Sequence, residues 1–259
     1  MPDLIHEAEG ALSTLKFNRK DVRNAINEDI MQGLTNAIDS LEASSELRTV
    51  ILTGAGEEAF CSGGDLKWLQ SFESREDGMG MSRRMQEIMG RLSALPVPVI
   101  AVLNGYALGG GTEIAMACDM RIIEEHAYMS FKQARVGLMT GWGGGGRLLR
   151  TIGYGRALEL LTTCKELSPE DALKMGLANA IVPKGDGLRV AKAMVKEISK
   201  SAPGAIRSLK ELLLFGLENT LDETTGLESS LFADLWVSED HDEAVKAFFE
   251  KRSPVFKGR

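Results

Sequence analysis

Two runs constrain this chain most: RTVILTG at 48–54 and VPVIAVLNG at 97–105. Each is short, apolar, rich in β-branched residues and closed by glycine, which predicts a strand. Each leads into a second glycine turn and then a candidate helix: AFCSGGDLKWL at 59–69, and GYALGGGTEIAMA at 105–117. A chain that repeats strand, turn and helix predicts an α/β architecture rather than a bundle or a sandwich.

The rest of the chain fits that frame. ALSTLKF at 11–17 predicts a strand, and CDMRII at 118–123 a further one. NRKDVRNAIN at 18–27 leads into a helix to about Leu41, with Ile26, Ile30, Leu34, Ile38 and Leu41 on one face. Another helix is expected over 78–94. The charged segment 66–79 carries Trp68 and Phe72 and reads either as a flap beside a site or as an amphipathic connection. Beyond Pro183 long helical stretches follow, including 205–217 and 242–252. Phe248 and Phe249 there suggest packing against another subunit, and a domain boundary is expected within 190–200.

With 259 residues the chain can bury one large core, or a main domain with an appendage. It carries 37 acidic against 30 basic residues, a net charge of −7, so no general positive field invites nucleic acid. Three scattered cysteines and three distant histidines, without CxxC or HxxxH spacing, predict neither a disulfide scaffold nor a metal site. The opening MPDLIHEAEG lacks the pattern of a secretory signal, and no apolar run reaches membrane-spanning length. A cytoplasmic location is the expectation.

The glycine turns carry the chemistry. Free N–H groups at turns and helix starts are anion donors, and glycine lets main chain approach a ligand. Two such donors converging on one oxygen would stabilise an enolate or a tetrahedral oxyanion. One such donor is typically worth about 3–4 kcal/mol in the transition state. The alternative is that both turns serve packing alone. A GxGxxG turn in a Rossmann setting, GxxxxGK[ST] and GxSxG are all absent, which disfavours a nucleotide site and a serine elbow.

FCSGGDLKWL and NGYALGGGTEIAMACD together resemble the enoyl-CoA hydratase/isomerase (crotonase) superfamily. NRKDVRNAIN, GLMTGWGGGGRLLRTIG at 137–153, LSPEDALKMGLANAIVP at 167–183 and the ending FFEKRSPVFKGR extend the likeness over nearly the whole chain. The resemblance implies a crotonase-like (ClpP/crotonase) α/β spiral of repeated ββα units. It implies a core over 1–195 and a C-terminal helical trimerisation region over 196–259. It further implies acyl-CoA thioester substrates, no permanently bound cofactor, and a homotrimer or dimer of trimers. By carry-over the N–H groups of Gly64 and Gly110 form the oxyanion hole. CoA runs past Cys61, Ser62, Gly63, Asp65, Leu66 and Lys67, and Trp142 walls the acyl group.

In the same comparison Glu113 matches one catalytic carboxylate of the hydratases, while the other falls on Gln133. An amide is no general acid or base near neutral pH, so the expectation shifts to decarboxylation of a malonyl-type thioester. That reaction yields the enolate directly and needs no base to begin. Gln133 would bind the departing carboxylate without repelling it, with Lys132 or Arg135 assisting. Glu113 would position that carboxylate or deliver a proton. FCSGGDL, EDGM at 76–79 and the tryptophan of GLMTGWGG resemble the ethylmalonyl/methylmalonyl-CoA decarboxylase branch. The alternatives are an enoyl-CoA hydratase or isomerase on a short or medium acyl chain, and an acyl-CoA-binding oligomeric protein without turnover. His126 reads as a surface-turn residue. Met79, Met81, Met85 and Met89 read as adaptable packing. Cys61 reads as structural, since no base lies at a telling spacing.

Overall fold

The computed structural model describes residues 1–258. Contacts divide it into two compact units, Met1–Ala191 and a second from Lys192 onward.

The first unit is built on two sheets. The larger takes β1 (Leu4–Glu9), β2 (Leu12–Phe17), β3 (Thr49–Gly54), β5 (Val99–Leu103), β7 (Met120–Glu124) and β9 (Ala180–Val182), in that spatial order. The smaller takes β4 (Ala59–Cys61), β6 (Tyr106–Leu108) and β8 (Met129–Ser130). Only β1 and β2 pair antiparallel; the other pairs are parallel. The chain thus gives one strand to each sheet in turn. β3 then β4, β5 then β6, and β7 then β8 each form two strands followed by helix, the repeated ββα unit.

The small sheet is where structure and sequence reading differ. VPVIAVLNG and its continuation form two strands, β5 and β6, broken at Asn104–Gly105. The break is held by Asn104, whose Oδ1 accepts from the Gly54 N–H at 3.0 Å and whose Nδ2 donates to the Gly56 carbonyl at 2.8 Å. Strands of two or three residues carry too little periodicity to be recognised alone. CDMRII likewise enters its strand only at Met120, because Cys118 still ends a helix.

The helices of this unit are α1 (Glu28–Glu42), α2 (Leu66–Leu69), α3 (Arg75–Ala94), α4 (Gly110–Ala117), α5 (Gly144–Ile152), α6 (Tyr154–Thr163), α7 (Pro169–Lys174) and the start of α8 (Gly187–Ile198). α1 begins where Asn27 Oδ1 accepts from the Ile30 N–H at 3.0 Å, a cap worth about 1 kcal/mol. It buries Ile30, Met31, Leu34, Ala37, Ile38 and Leu41, the face read from the sequence. α3 starts at a Ser74–Asp77 capping box, earlier than expected, so 66–79 holds α2, a turn and the first residues of α3. Trp68 and Phe72 meet edge to face at 4.8 Å.

The second unit contains α9 (Pro203–Gly216), α10 (Leu221–Trp236) and α11 (Glu239–Glu250). The boundary between the units, Ala191 to Lys192, falls inside α8. Leu213, Phe232, Trp236, Phe248 and Phe249 of these helices are each more than half exposed. No helix among the described residues is long and apolar enough to cross a membrane.

Candidate active site

The site grows from the two glycine turns, each at the end of a small-sheet strand. After β4, Ile26 clamps the first turn from both sides. Its N–H donates to the Gly63 carbonyl at 2.8 Å, and its carbonyl accepts from the Asp65 N–H at 2.8 Å. In such a parallel bridge the residue between turns its own N–H the other way, so the Gly64 N–H faces away from Ile26. Arg19 braces the same turn, bonding Asp65 at 2.9 Å, Asp3 at 3.0 Å and the Ala25 carbonyl at 2.7 Å. Asp65 also caps α2 by accepting from the Lys67 N–H at 3.0 Å.

After β6, the second turn opens α4. The Gly109 N–H donates to the Ser130 carbonyl at 2.9 Å, and Gly110 is the first residue of the helix. Its N–H is therefore among those a helix cannot satisfy internally. The turns touch. Gly63 has φ +96°, and a Cβ there would stand 3.1 Å from the Gly110 nitrogen. Only glycine combines that backbone with that proximity. Neither Gly64 nor Gly110 N–H finds an acceptor in the chain among the described residues.

Glu113, one turn into α4, is 2 % exposed. Four N–H groups serve its carboxylate. Oε1 accepts from Gln133 Nε2 at 2.8 Å and the Gly141 N–H at 3.2 Å. Oε2 accepts from the Trp142 N–H at 2.8 Å and the Gly144 N–H at 2.9 Å. Burial pushes the carboxyl above the usual range, and these four donors oppose that shift. Every one of these donors is neutral. No second carboxylate bonds to this group; the side chain beside it is an amide. Gln133 Oε1 is buried and has no hydrogen-bond partner.

The remaining expected residues fall around this centre. Trp142 is buried; its ring covers Gly110, and its indole N–H donates to Met81 Sδ at 3.2 Å. Cys61 lies beneath the first turn, where its sulfur accepts from the Gly63 N–H at 3.4 Å. Burial pushes its thiol up to about 12, which removes it as a nucleophile. Ser62 donates its N–H to the Arg23 carbonyl at 3.1 Å, and Leu66 and Lys67 are exposed. Lys132 pairs with Glu166 at 3.0 Å, and Arg135 donates to the Thr163 carbonyl at 3.0 Å. His126 bonds the Glu57 carbonyl at 2.9 Å, away from these groups. Met85 and Met89 are core residues.

Sequence reading missed the cradle of Glu113. GWGGGG was visible as a glycine run, but nothing in it announced that three main-chain N–H groups converge on a carboxylate 28 to 31 residues earlier. Among the described residues no group of three or more His, Cys, Asp or Glu could hold a metal.

Known proteins are similar to this chain over nearly its whole length. The model of the enoyl-CoA hydratase/isomerase family matches residues 7–259. A short-chain-enoyl-CoA hydratase from Clostridium acetobutylicum is 36% identical over 253 residues, covering 96% of this chain and 95% of its own. The crystal structure of an enoyl-CoA hydratase from Bacillus anthracis superposes with a TM-score of 0.95 at 33% identity, covering 99% of this chain and 100% of that one. DspI from Pseudomonas aeruginosa superposes at 0.94 with 30% identity over 99% and 97%. The two hydratase names differ from the decarboxylase branch expected from the local motifs, and none of these relatives points to that branch. The touching glycine turns, the buried glutamate and the full-length matches lead to one conclusion: the chain belongs to the enoyl-CoA hydratase/isomerase (crotonase) family of acyl-CoA-processing enzymes.

Proposed function

We propose that this enzyme hydrates 2-enoyl-CoA thioesters of short or medium chain, with Glu113 as its single acid–base carboxylate. The observation that carries the reading is one buried glutamate beside two glycine N–H groups that lack acceptors. The thioester oxygen would accept from Gly64 and Gly110. Ionised Glu113 would take a proton from water as the water oxygen adds to Cβ. Electrons move onto the thioester oxygen as an enolate, and Glu113 returns the proton to Cα. All atoms of one water are thereby added. Gln133 cannot act as a base, but its unpartnered Oε1 can accept the second O–H of that water and fix its direction. The names of the relatives support hydration.

If Glu113 instead took a proton from Cα of a 3-enoyl thioester and returned it to Cγ through the same enolate, the apparatus would be an isomerase. The CoA moiety is assigned to Cys61–Lys67 and the acyl wall to Trp142. The exposed apolar side chains of α9–α11 support assembly into a homotrimer or a dimer of trimers. A second reading, decarboxylation of methylmalonyl- or ethylmalonyl-CoA, draws support from the neutral amide on Glu113, which would not repel a substrate carboxylate.

Mass-resolved turnover of crotonyl-CoA beside malonyl-, methylmalonyl- and ethylmalonyl-CoA tests both. A water adduct of crotonyl-CoA that disappears in Glu113→Gln is expected. Carbon dioxide loss from a malonyl-type substrate without hydration would overturn the first reading in favour of the second.

A further inference from the structure

Helix α3 reaches the Glu113 cradle from behind. Ser82 Oγ donates to the Gly141 carbonyl at 2.6 Å, and Gln86 Nε2 donates to the same oxygen at 2.9 Å. Gln86 Nε2 also lies 3.2 Å from Ser82 Oγ, so the two side chains, one helical turn apart, act on one acceptor. That carbonyl belongs to the peptide unit whose N–H is Trp142's. In a trans peptide the two dipole ends point opposite ways: the oxygen toward α3, the N–H toward Glu113 Oε2 at 2.8 Å. A peptide whose carbonyl receives donors becomes a stronger donor at its own N–H.

We propose that Ser82 and Gln86 are positioning residues for the acid–base carboxylate, orienting and polarising the Gly141–Trp142 peptide so that its N–H binds Glu113. Neither side chain bonds Glu113 itself; both act through the Gly141 carbonyl. The proposal rests on the reading of Glu113 as the acid–base group only where activity is the readout. Met81 secures the same loop through the Trp142 indole N–H, so the face of α3 at 81, 82 and 86 forms one clamp.

Other charges around Glu113 leave the assignment intact. Arg147 on α5 interacts electrostatically with Glu113 and bonds the Met89 carbonyl at 3.2 Å. Arg150 is exposed. On α3, Arg84 pairs with Glu28 and Arg91 with Asp39 and Glu42, while Arg83 and Glu87 are exposed. From the small sheet come Cys61, neutral because its thiol is pushed up to about 12, and the half-buried Tyr106. Lys132 and Arg135 are occupied with Glu166 and the Thr163 carbonyl. None of these groups bonds Ser82 or Gln86.

Removing the Ser82 hydroxyl weakens the Trp142 N–H bond to ionised Glu113, so Glu113 must titrate at higher pH. The test is carboxyl 13C NMR titration of Glu-labelled full-length protein, with the Glu113 signal assigned by its loss in Glu113→Gln. Ser82→Ala and Gln86→Ala are each expected to move that titration up by about 0.3–0.7 of a pH unit. Ser82→Thr, which keeps the donor, should restore it. The acid limb of kcat should move up with it. Both positions are only part-buried or exposed, and unchanged circular dichroism would verify folding. An unmoved Glu113 titration in both alanine variants overturns the proposal. Full activity of Glu113→Gln would overturn the acid–base reading instead, and the NMR titration would still decide the role of Ser82 and Gln86.

Discussion

Gly144→Ala is the sharpest probe of the site, because its cost can be worked from contacts. A Cβ on Gly144 would sit 2.5 Å from Glu113 Cγ, 2.8 Å from its Cβ and 2.9 Å from its Cα. Carbon atoms rest at about 3.5–4.0 Å, so either α5 or Glu113 must yield by about 1 Å. The loss is split between stability and rate. Overpacking of this kind costs about 1–3 kcal/mol. Misplacing a catalytic group by about 1 Å costs about 100-fold. The expected outcome is kcat/KM for crotonyl-CoA down by about two orders of magnitude, carried mainly by kcat, with a lower melting temperature. Gly146→Ala is the internal control. It lies on the same helix with nothing within 4 Å of the new Cβ, and alanine there should stabilise by about 0.5–1 kcal/mol at unchanged activity. Wild-type kcat/KM in Gly144→Ala would refute the claim that the close approach of α5 sets the carboxylate's position.

With Glu113 as the proposed acid–base group, the acid limb of the rate profile should lie above the ordinary glutamate value of about 4.3, since burial opposes its ionisation. Between the ordinary and the raised value the native state holds the extra proton, so Glu113's contribution to stability falls as pH rises through that window; a limb at or below 4.3 would contradict this. Cys61, Cys118 and Cys164 are all buried, so a thiol-reactive chromophore should find them only after denaturation, and fast labelling of the native enzyme would contradict the structure. Arg121 is 6 % exposed and donates to the carbonyls of Leu177, Ala115 and Cys118 at 2.5, 3.2 and 2.6 Å. Arg121→Met strips those donors from the C-terminal end of α4 and from the Leu177 carbonyl, and should destabilise by at least about 2 kcal/mol in denaturant titration.

Much of the architecture was legible in the amino-acid order because local periodicity carries it. The β-branched runs of β3 and β5, the three-to-four spacing of α1 and the glycines before α2 and α4 each act within a few residues of themselves. Glu113 stood out for the same reason, as a lone acid in an otherwise small and apolar helix. The branch of the family was less legible. Local motifs around Gly63–Gly64 and Trp142 suggested a decarboxylase, whereas likeness over the whole chain leads to hydratases. Short stretches shared across a family report the common oxyanion geometry, not the step that follows it.

What the sequence determined by itself was the α/β class, the glycine turns and the carboxylate, since each depends on steric and polar properties of neighbouring residues. Only the tertiary structure decided what surrounds them. It set β5 and the β6 that follows it in two different sheets, and brought Gly63 against Gly110 across 47 residues of chain. It also aimed the N–H groups of Gly141, Trp142 and Gly144 at Glu113. Those contacts use main-chain atoms that every residue type possesses, so their partners are selected by the path of the chain and leave no mark in its composition.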